Sequence, residues 1–520
     1  MTEKQIRISV PSARDGGPAR GTKLSDYLAA AGYPLNAPCG GRGVCGKCRI
    51  TLTGGTLLCS GTSNNMGHDC VSAPASFLSC RVYLTGEETE ILLPENTGGG
   101  LTGFSAEAPS GAEKNTETAD ENAVSAPRFL ALDVGTTTLA MVLADGDGHV
   151  RSSCARLNPQ QSFGADVMTR IGCVMRDETT LGMMQAGLLS AVRDMAETLL
   201  RDAAVTAVSA MAVAGNTTML HLFAGISPAG MGAYPFTPVF LEERILSGAE
   251  LGLPAENVIL LPSADAFIGG DITAGAAASG LMAETGSTLF VDIGTNGEML
   301  LLHNGVLLAA STAAGPALEG AGISTGVGGI AGAVCAVSRS GRSGISIRTI
   351  GDRPPVGICG SGLIDLIAVL LDMGIIDETG AMEEDAYVYA HTEDGAPLAL
   401  NGEDVRAFQL AKSAIRAGME ALCDRAGIES EHLSRILLAG GLGYYMNVAS
   451  AVRVGLLPCV PLSRIRSVGN TALGGALLRL TDENAGAQMR GIAERCETVE
   501  LNSSPVFTEQ FMEQMMFPEQ

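Results

Sequence analysis

Phe129-Leu130-Ala131-Leu132-Asp133-Val134-Gly135-Thr136-Thr137-Thr138 is an apolar strand that ends in Asp-x-Gly-Thr, and it has an echo. Leu289-Phe290-Val291-Asp292-Ile293-Gly294-Thr295-Asn296-Gly297-Glu298 repeats the pattern 159 positions later. One copy is an everyday strand-to-turn sequence. Two copies with matching flanks predict a duplicated domain whose halves each present a strand-turn at a shared cleft. In such a turn the glycine lets the backbone approach a phosphate, hydroxyls and amides donate to its oxygens, and the aspartate holds Mg²⁺ or its waters. Asp133 and Asp292 are therefore the predicted metal- and water-orienting groups, with Gly135, Thr136, Thr137, Gly294, Thr295 and Asn296 at the phosphates. Glu298 is the candidate catalytic base, against the plainer reading of a solvated strand residue.

A third element supports a nucleotide cleft. Arg435-Ile436-Leu437-Leu438-Ala439-Gly440-Gly441-Leu442-Gly443 reads as a strand running into a glycine loop, where Gly440 and Gly441 would line an adenosine. The competing reading is a tight strand-to-helix turn. Val468 to Ala476 looks like a small-residue helix start that packs closely beneath the cleft. Ser361 and Gly362 are candidate nucleotide contacts, with helix capping as the alternative for Ser361.

Around these turns, short apolar strands alternate with helical segments from Arg128 onward, an α/β signature. Met184, Leu188, Val192, Met195 and Leu199 repeat at helical spacing, as do Val405, Phe408, Ile415, Met419 and Leu422. Both stripes predict core-facing helices with no chemistry of their own.

The first hundred residues carry a different signal. Cys39-Gly40-Gly41-Arg42-Gly43-Val44-Cys45-Gly46-Lys47-Cys48 sets three thiols at C-x5-C-x2-C spacing in a glycine-rich loop. Thiolates in such loops hold iron-sulfur clusters, with backbone N–H groups aimed at sulfur. A fourth thiol is required from Cys59, Cys70 or Cys80. Cys80 is favoured, because Phe77 to Tyr83 reads as a strand edge beyond a long return. The spacing resembles 2Fe-2S ferredoxins of the adrenodoxin type. Structural zinc is the rival, since Cys45-x2-Cys48 alone would serve it, but zinc usually pairs two short knuckles.

Composition narrows the class. A chain of 520 residues exceeds one core, and roughly three domain-sized units are expected. The formal charge of −23 argues against a nucleic-acid partner, which demands a basic surface. No apolar run is long enough to span a membrane, and Met1 to Val10 lacks the apolar core of a signal peptide, so a cytoplasmic protein is expected. Thirteen cysteines without an export signal point to reduced thiols, and an exposed low-potential cluster would further favour an anaerobic or reducing setting.

The predicted organisation is a 2Fe-2S ferredoxin-type domain at 1–95, a flexible linker at 96–127, a first lobe at 128–285 and a second at 286–520. The linker is rich in Gly, Ser, Thr, Ala and acids; a coil of about thirty residues spans roughly 30 Å. The first domain has strand, helix, cysteine loop and strands in β-grasp order.

The nucleotide constellation resembles the actin-like ATPase superfamily, which includes acetate and sugar kinases and heat-shock chaperones. That resemblance implies ATP and Mg²⁺ bound between two ribonuclease-H-like lobes, with closure coupled to hydrolysis. The fold class is thus α/β multidomain: a β-grasp 2Fe-2S ferredoxin-like domain plus two such lobes. Over nearly its full length the chain resembles the reductive activators of corrinoid enzymes. The matching segments include Cys39 to Cys48, Asp133 to Thr138, Asn158-Pro159-Gln160, Gly164 to Val167, Gly215 to Met219, Asp292 to Glu298, Cys359 to Asp365 and Ala439 to Gly441. By resemblance, Asp166 and Asp271 face the cleft or the partner, the alternative being plain helix caps.

The implied reaction is ATP-dependent transfer of one electron from a 2Fe-2S cluster held by Cys39, Cys45, Cys48 and Cys80 to cob(II)amide, regenerating cob(I)amide. Implied partners are a corrinoid protein of a methyltransferase system and a low-potential donor such as a ferredoxin or flavodoxin; a homodimer is compatible with the reading. No Asp-x-His-x-x-Gly loop is present, so the cobalt is expected to arrive on another protein. A plant-type 2Fe-2S centre sits near about −400 mV, and each 100 mV uphill costs one electron about 2.3 kcal/mol. ATP is the expected source of that energy. Two rivals stay open: a small-molecule kinase with a redox-sensing module, and an electron-transfer adaptor switched by ATP.

Overall fold

The computed structural model describes residues 5–15, 17–30, 49–59, 69–94, 128–341 and 344–519. In the N-terminal unit a four-stranded antiparallel sheet runs in the order Gln5–Val10, Thr89–Pro94, Arg49–Gly54, Ala75–Leu78. Strand alternation sets its faces, with Ile8 and Val10 buried and Arg7 and Ser9 exposed. The helix Leu24–Ala30 lays Leu24 and Leu28 onto the same core as Ile50, Leu52 and Ile91. Thr56–Cys59 pairs with Asp69–Ser72 and Val82–Leu84 in a small second sheet.

Two six-stranded sheets follow, and their shared topology is the duplication implied by the repeated turns. In the first, Phe129–Val134, Thr138–Ala144 and Val150–Leu157 form an antiparallel meander, while Val208–Gly215 and Ala255–Leu260 add parallel strands on the other side. In the second, Thr288–Ile293, Gly297–His303 and Val306–Thr312 make the meander, and Arg435–Ala439 and Ile465–Gly469 the parallel extension. Each Asp-x-Gly-Thr lies at the first hairpin of its sheet. The central strands read as continuous apolar runs because both faces are covered.

Helix Thr179–Asp202 covers the outer face of the first sheet with buried Met184, Leu188, Val192, Met195 and Leu199. Helix Gly402–Ala426 does the same for the second, burying Val405, Phe408, Ile415, Met419 and Leu422. Between the sheets lie two helices of small residues, Gly270–Ser279 and Thr471–Thr481. They approach so closely that a side chain on Gly475 would overlap the Ala274 carbonyl. The expected small-residue helix near Val468–Ala476 thus packs against a partner of its own kind.

Among the described residues, no helix is long and apolar enough to cross a membrane.

Candidate active site

The two turns face each other across a cleft of about 670 Å³. In the first turn, the backbone acceptors are all turned away from the cleft. Asn158 Nδ2 donates to Gly135 O at 2.9 Å, Arg170 Nη2 to Thr136 O at 2.5 Å, and Gln161 Nε2 to Thr137 O at 3.0 Å. Asn216 Nδ2 donates to the Thr136 hydroxyl at 3.1 Å. With its carbonyls tied back to the body of the lobe, the turn is left with donors for an anion. The segments Asn158-Pro159-Gln160, Gly164 to Val167 and Gly215 to Met219 therefore have a mechanical reason to accompany the turn.

Arg170 is the least expected of these braces. It is fully buried, and it also donates to Gly164 O at 3.0 Å and Gln160 Oε1 at 3.3 Å. Asp166, one turn earlier, caps helix Val167–Arg176 by accepting from Thr169 N at 2.8 Å, which is the plainer of its two expected roles.

The second turn is closed by Gly294 N donating to Asn296 O at 2.8 Å and Gly315 N to Thr295 O at 2.9 Å. Thr295 Oγ1 donates to Glu319 Oε2 at 2.7 Å. Asp133, Asp292, Glu298, Gly135, Thr136, Thr137, Gly294, Thr295 and Asn296 all line the cleft. Glu298 is thus a cleft residue, and the reading as a solvated strand position falls.

The glycines after Ala439 differ from a loop. Gly440–Tyr445 is a short helix that starts directly at the strand end, the tighter of the two geometries considered for it. Gly440 and Gly441 both line the cleft, but Gly440 adopts φ +78° so close to Asp292 that a Cβ there would overlap Oδ1, and it therefore borders that carboxylate. Ser361 also lines the cleft, while its hydroxyl donates to Cys335 O at 2.9 Å. It caps nothing: Cys359 is the N-cap of helix Gly360–Asp372. Gly362 corrects the expectation of a nucleotide contact. One helical step beyond Ser361 turns it away from the cleft and onto the strand at Val334 and Ile358.

Six acids line this cleft: Asp133, Asp271, Asp292, Glu298, Glu319 and Asp352. Arg348 is the single Arg or Lys among the described lining residues. Burial pushes the Asp133 carboxyl up to about 6, partly offset by the Asn470 side chain. Burial, then the charge of Asp133 and of Glu319, lifts Asp292 to about 7. Burial, then Asp292 and Asp133, lifts Asp271 to about 8. Glu298 is raised well above its ordinary value by burial and by Asp271 and Asp292.

Such a cluster is a poor host for a bare polyphosphate and a good host for a divalent cation, which lets clustered carboxylates ionise together. Asp133, Asp292 and Asp271 are the oxygens that fit Mg²⁺, directly or through waters. Arg170 and Glu319 are the site residues that sequence reasoning missed, and no spacing marks them; Asn216 and Asn470 lie in the segments Gly215 to Met219 and Val468 to Ala476 but were given no role of their own.

The cysteine reading lies mostly elsewhere. Cys39, Cys45 and Cys48 fall outside the described residues. Cys80 belongs to the short turn Ser79–Arg81 that leads into strand Val82–Leu84, Cys59 ends strand Thr56–Cys59, and Cys70 lies in strand Asp69–Ser72.

Comparison with known proteins gives concordant matches. Residues 129–284 match the family described as the RACo middle region, and residues 286–520 match the C-terminal domain of RACo, the ASKHA domain. The corrinoid activation enzyme RamQ of Eubacterium limosum is 31% identical over 75% of this chain and 70% of its own. A [Co(II) methylated amine-specific corrinoid protein] reductase of Methanosarcina barkeri is 29% identical over 46% of each chain. The solved structure of a reductive activator for a corrinoid, iron-sulfur protein superposes with a TM-score of 0.71 at 27% identity, covering 96% of both chains.

Proposed function

The chain belongs to the reductive activators of corrinoid proteins, and we propose that it uses MgATP to drive single electrons onto cob(II)amide carried by a separate corrinoid protein. The observation that supports the ATP half is the pair of Asp-x-Gly-Thr turns facing one acid-lined cleft from equivalent hairpins of duplicated sheets.

In this reading Asp133, Asp292 and Asp271 hold Mg²⁺. Thr136 and Asn296 donate to the phosphates with their side chains and Thr137 and Thr295 through their backbone N–H groups, and Ser361, Gly440 and Gly441 border the rest of the nucleotide. A 2Fe-2S cluster on Cys39, Cys45, Cys48 and Cys80 supplies one electron at a time when bound, reloaded by a low-potential ferredoxin or flavodoxin. The close helix pair Gly270–Ser279 and Thr471–Thr481 is where the lobes move, because small side chains let packed helices slide with little rotamer cost. Closure on MgATP favours the complex in which the partner's cobalt accepts an electron more readily.

The test is spectroscopic. Anaerobic protein, a chemical reductant and a corrinoid protein in the cob(II)amide state are mixed with and without MgATP, and the cob(I)amide band is followed. The band is expected to grow only with nucleotide; equal growth without it ends the coupling proposal.

A further inference from the structure

Glu319 has no place in the roles above, yet it touches both phosphate turns. It closes the short turn Pro316–Glu319 of the second lobe. Its Oε2 accepts from Thr295 Oγ1 at 2.7 Å in its own lobe and from Thr137 Oγ1 at 3.5 Å in the other. One carboxylate oxygen is thereby shared by a hydroxyl from each of the two turns that would flank the terminal phosphate.

The turn that carries it is held rigidly. Gly320 follows at φ +79° with its Cα against the Val327 carbonyl, and Gly360 is pressed against the Leu318 carbonyl. A side chain on either glycine would overlap those oxygens, so neighbouring backbone fixes where residue 319 can point. Glu298, the base expected from the sequence, is placed less well. It lies among Asp271 and Asp292, where like charge and burial keep its proton on. Burial raises the Glu319 carboxyl as well, but the donors from Thr295 and Thr137 partly offset it, and like charge is not among the causes of its shift.

We propose that Glu319 orients and deprotonates the water that attacks the terminal phosphate of ATP. This rests on the ATP-hydrolysing reading of the cleft. The water oxygen forms the new bond to the γ-phosphorus, and the bond from that phosphorus to the β,γ-bridging oxygen breaks. The bridging oxygen leaves with the electron pair as part of ADP, the water proton passes to the Glu319 carboxylate, and inorganic phosphate is the second product. The proton then returns to solvent when the cleft opens.

Glu319→Gln is the discriminating variant, because an amide oxygen still accepts from Thr295 and Thr137 but takes no proton. Its kcat for ATP hydrolysis is expected to fall by about 10²-fold or more. Its Kd for Mg²⁺ with a non-hydrolysable ATP analogue, read by calorimetry, and its melting temperature should stay near wild type. Glu319→Asp retains the carboxylate one methylene short, and should recover part of the lost kcat. Wild-type turnover in Glu319→Gln overturns the assignment, as does a loss of analogue affinity in proportion to kcat. A larger kcat loss in Glu298→Gln also overturns it by returning the role to Glu298. A wild-type chain that binds the analogue but turns over no ATP sinks this assignment alone, and one that binds no analogue sinks the ATP reading with it.

Discussion

Asn470 reaches across the cleft to Asp133. Its Nδ2 donates to Asp133 Oδ2 at 2.9 Å, while its Oδ1 accepts from Leu473 N at 2.9 Å and so caps helix Thr471–Thr481. A single amide thus ties Asp133 of the first lobe to the helix that packs between the two sheets. Whatever ionises or protonates Asp133 is felt at the start of that helix.

Asn470→Ala removes both bonds. Loss of the cap costs about 1 kcal/mol, and leaving a buried carboxyl short of a donor adds about 1 kcal/mol or more. Urea unfolding should show the loss, and a Mg²⁺ titration should show weaker binding because Asp133 then holds its proton more tightly. Asn470→Asp keeps the cap but sets a second carboxylate beside Asp133. Its stability should drop most steeply toward alkaline pH, and a flat profile would refute the cross-cleft coupling.

Gly440→Ala tests the close approach of backbone to the cation site. A methyl there would overlap Asp292 Oδ1, and φ +78° is unfavourable for alanine by about 1 kcal/mol. Folding should survive with a modest fall in melting temperature, while Mg-nucleotide affinity falls at least tenfold. Binding at wild-type strength would show that Asp292 need not hold its present position.

The pH dependence follows from Asp133, Asp292 and Asp271, lifted to about 6, 7 and 8 against an ordinary 3.8. Between the unfolded and folded values the native state binds more protons, so the slope of stability with pH is negative. The contribution is fully present below about pH 4 and is lost as pH rises through about 6 to 8. Metal-free protein should therefore melt at lower temperature at pH 8.5 than at pH 6. Mg²⁺ competes with those protons, so its stabilising increment should grow with pH. Thermal melts in chelator and in excess Mg²⁺ give both curves; parallel curves would mean that these acids do not bind the ion.

Arg170→Met strips the first phosphate turn of its buried brace. Thr136 O and Gly164 O lose their guanidinium donors in a closed environment, a loss of roughly 2–4 kcal/mol. Arg170→Lys should recover only part, since an ammonium is a point donor and cannot span the separated acceptors. Thermal unfolding and analogue binding should fall together, and an Arg170→Met protein of native stability would leave the turn braced by other means.

Much of the site was legible in the chain because its signals are local. An aspartate, a glycine and a hydroxyl within four residues after an apolar run specify a strand and a turn wherever they occur, and two copies specify a repeat. The helical stripes through Met184 and Val405 were readable for the same reason: a period of 3.6 is a property of neighbours. Gly362 and Ser361 show the limit. The motif that holds them was recognisable, but the side each presents depends on where helix Gly360–Asp372 begins, and Cys359 rather than Ser361 starts it.

By itself the sequence determined the repeated turns, the identities of Asp133 and Asp292, and the thiols that mark the N-terminal unit. Only the tertiary structure decided that Glu319 enters the cleft, that Asn470 bonds Asp133 and that Arg170 braces the first turn from behind, because each meets its partner from a segment distant in the chain. It also decided which carboxylates keep their protons, since burial and the distance between like charges are properties of the folded cleft and of no stretch of chain.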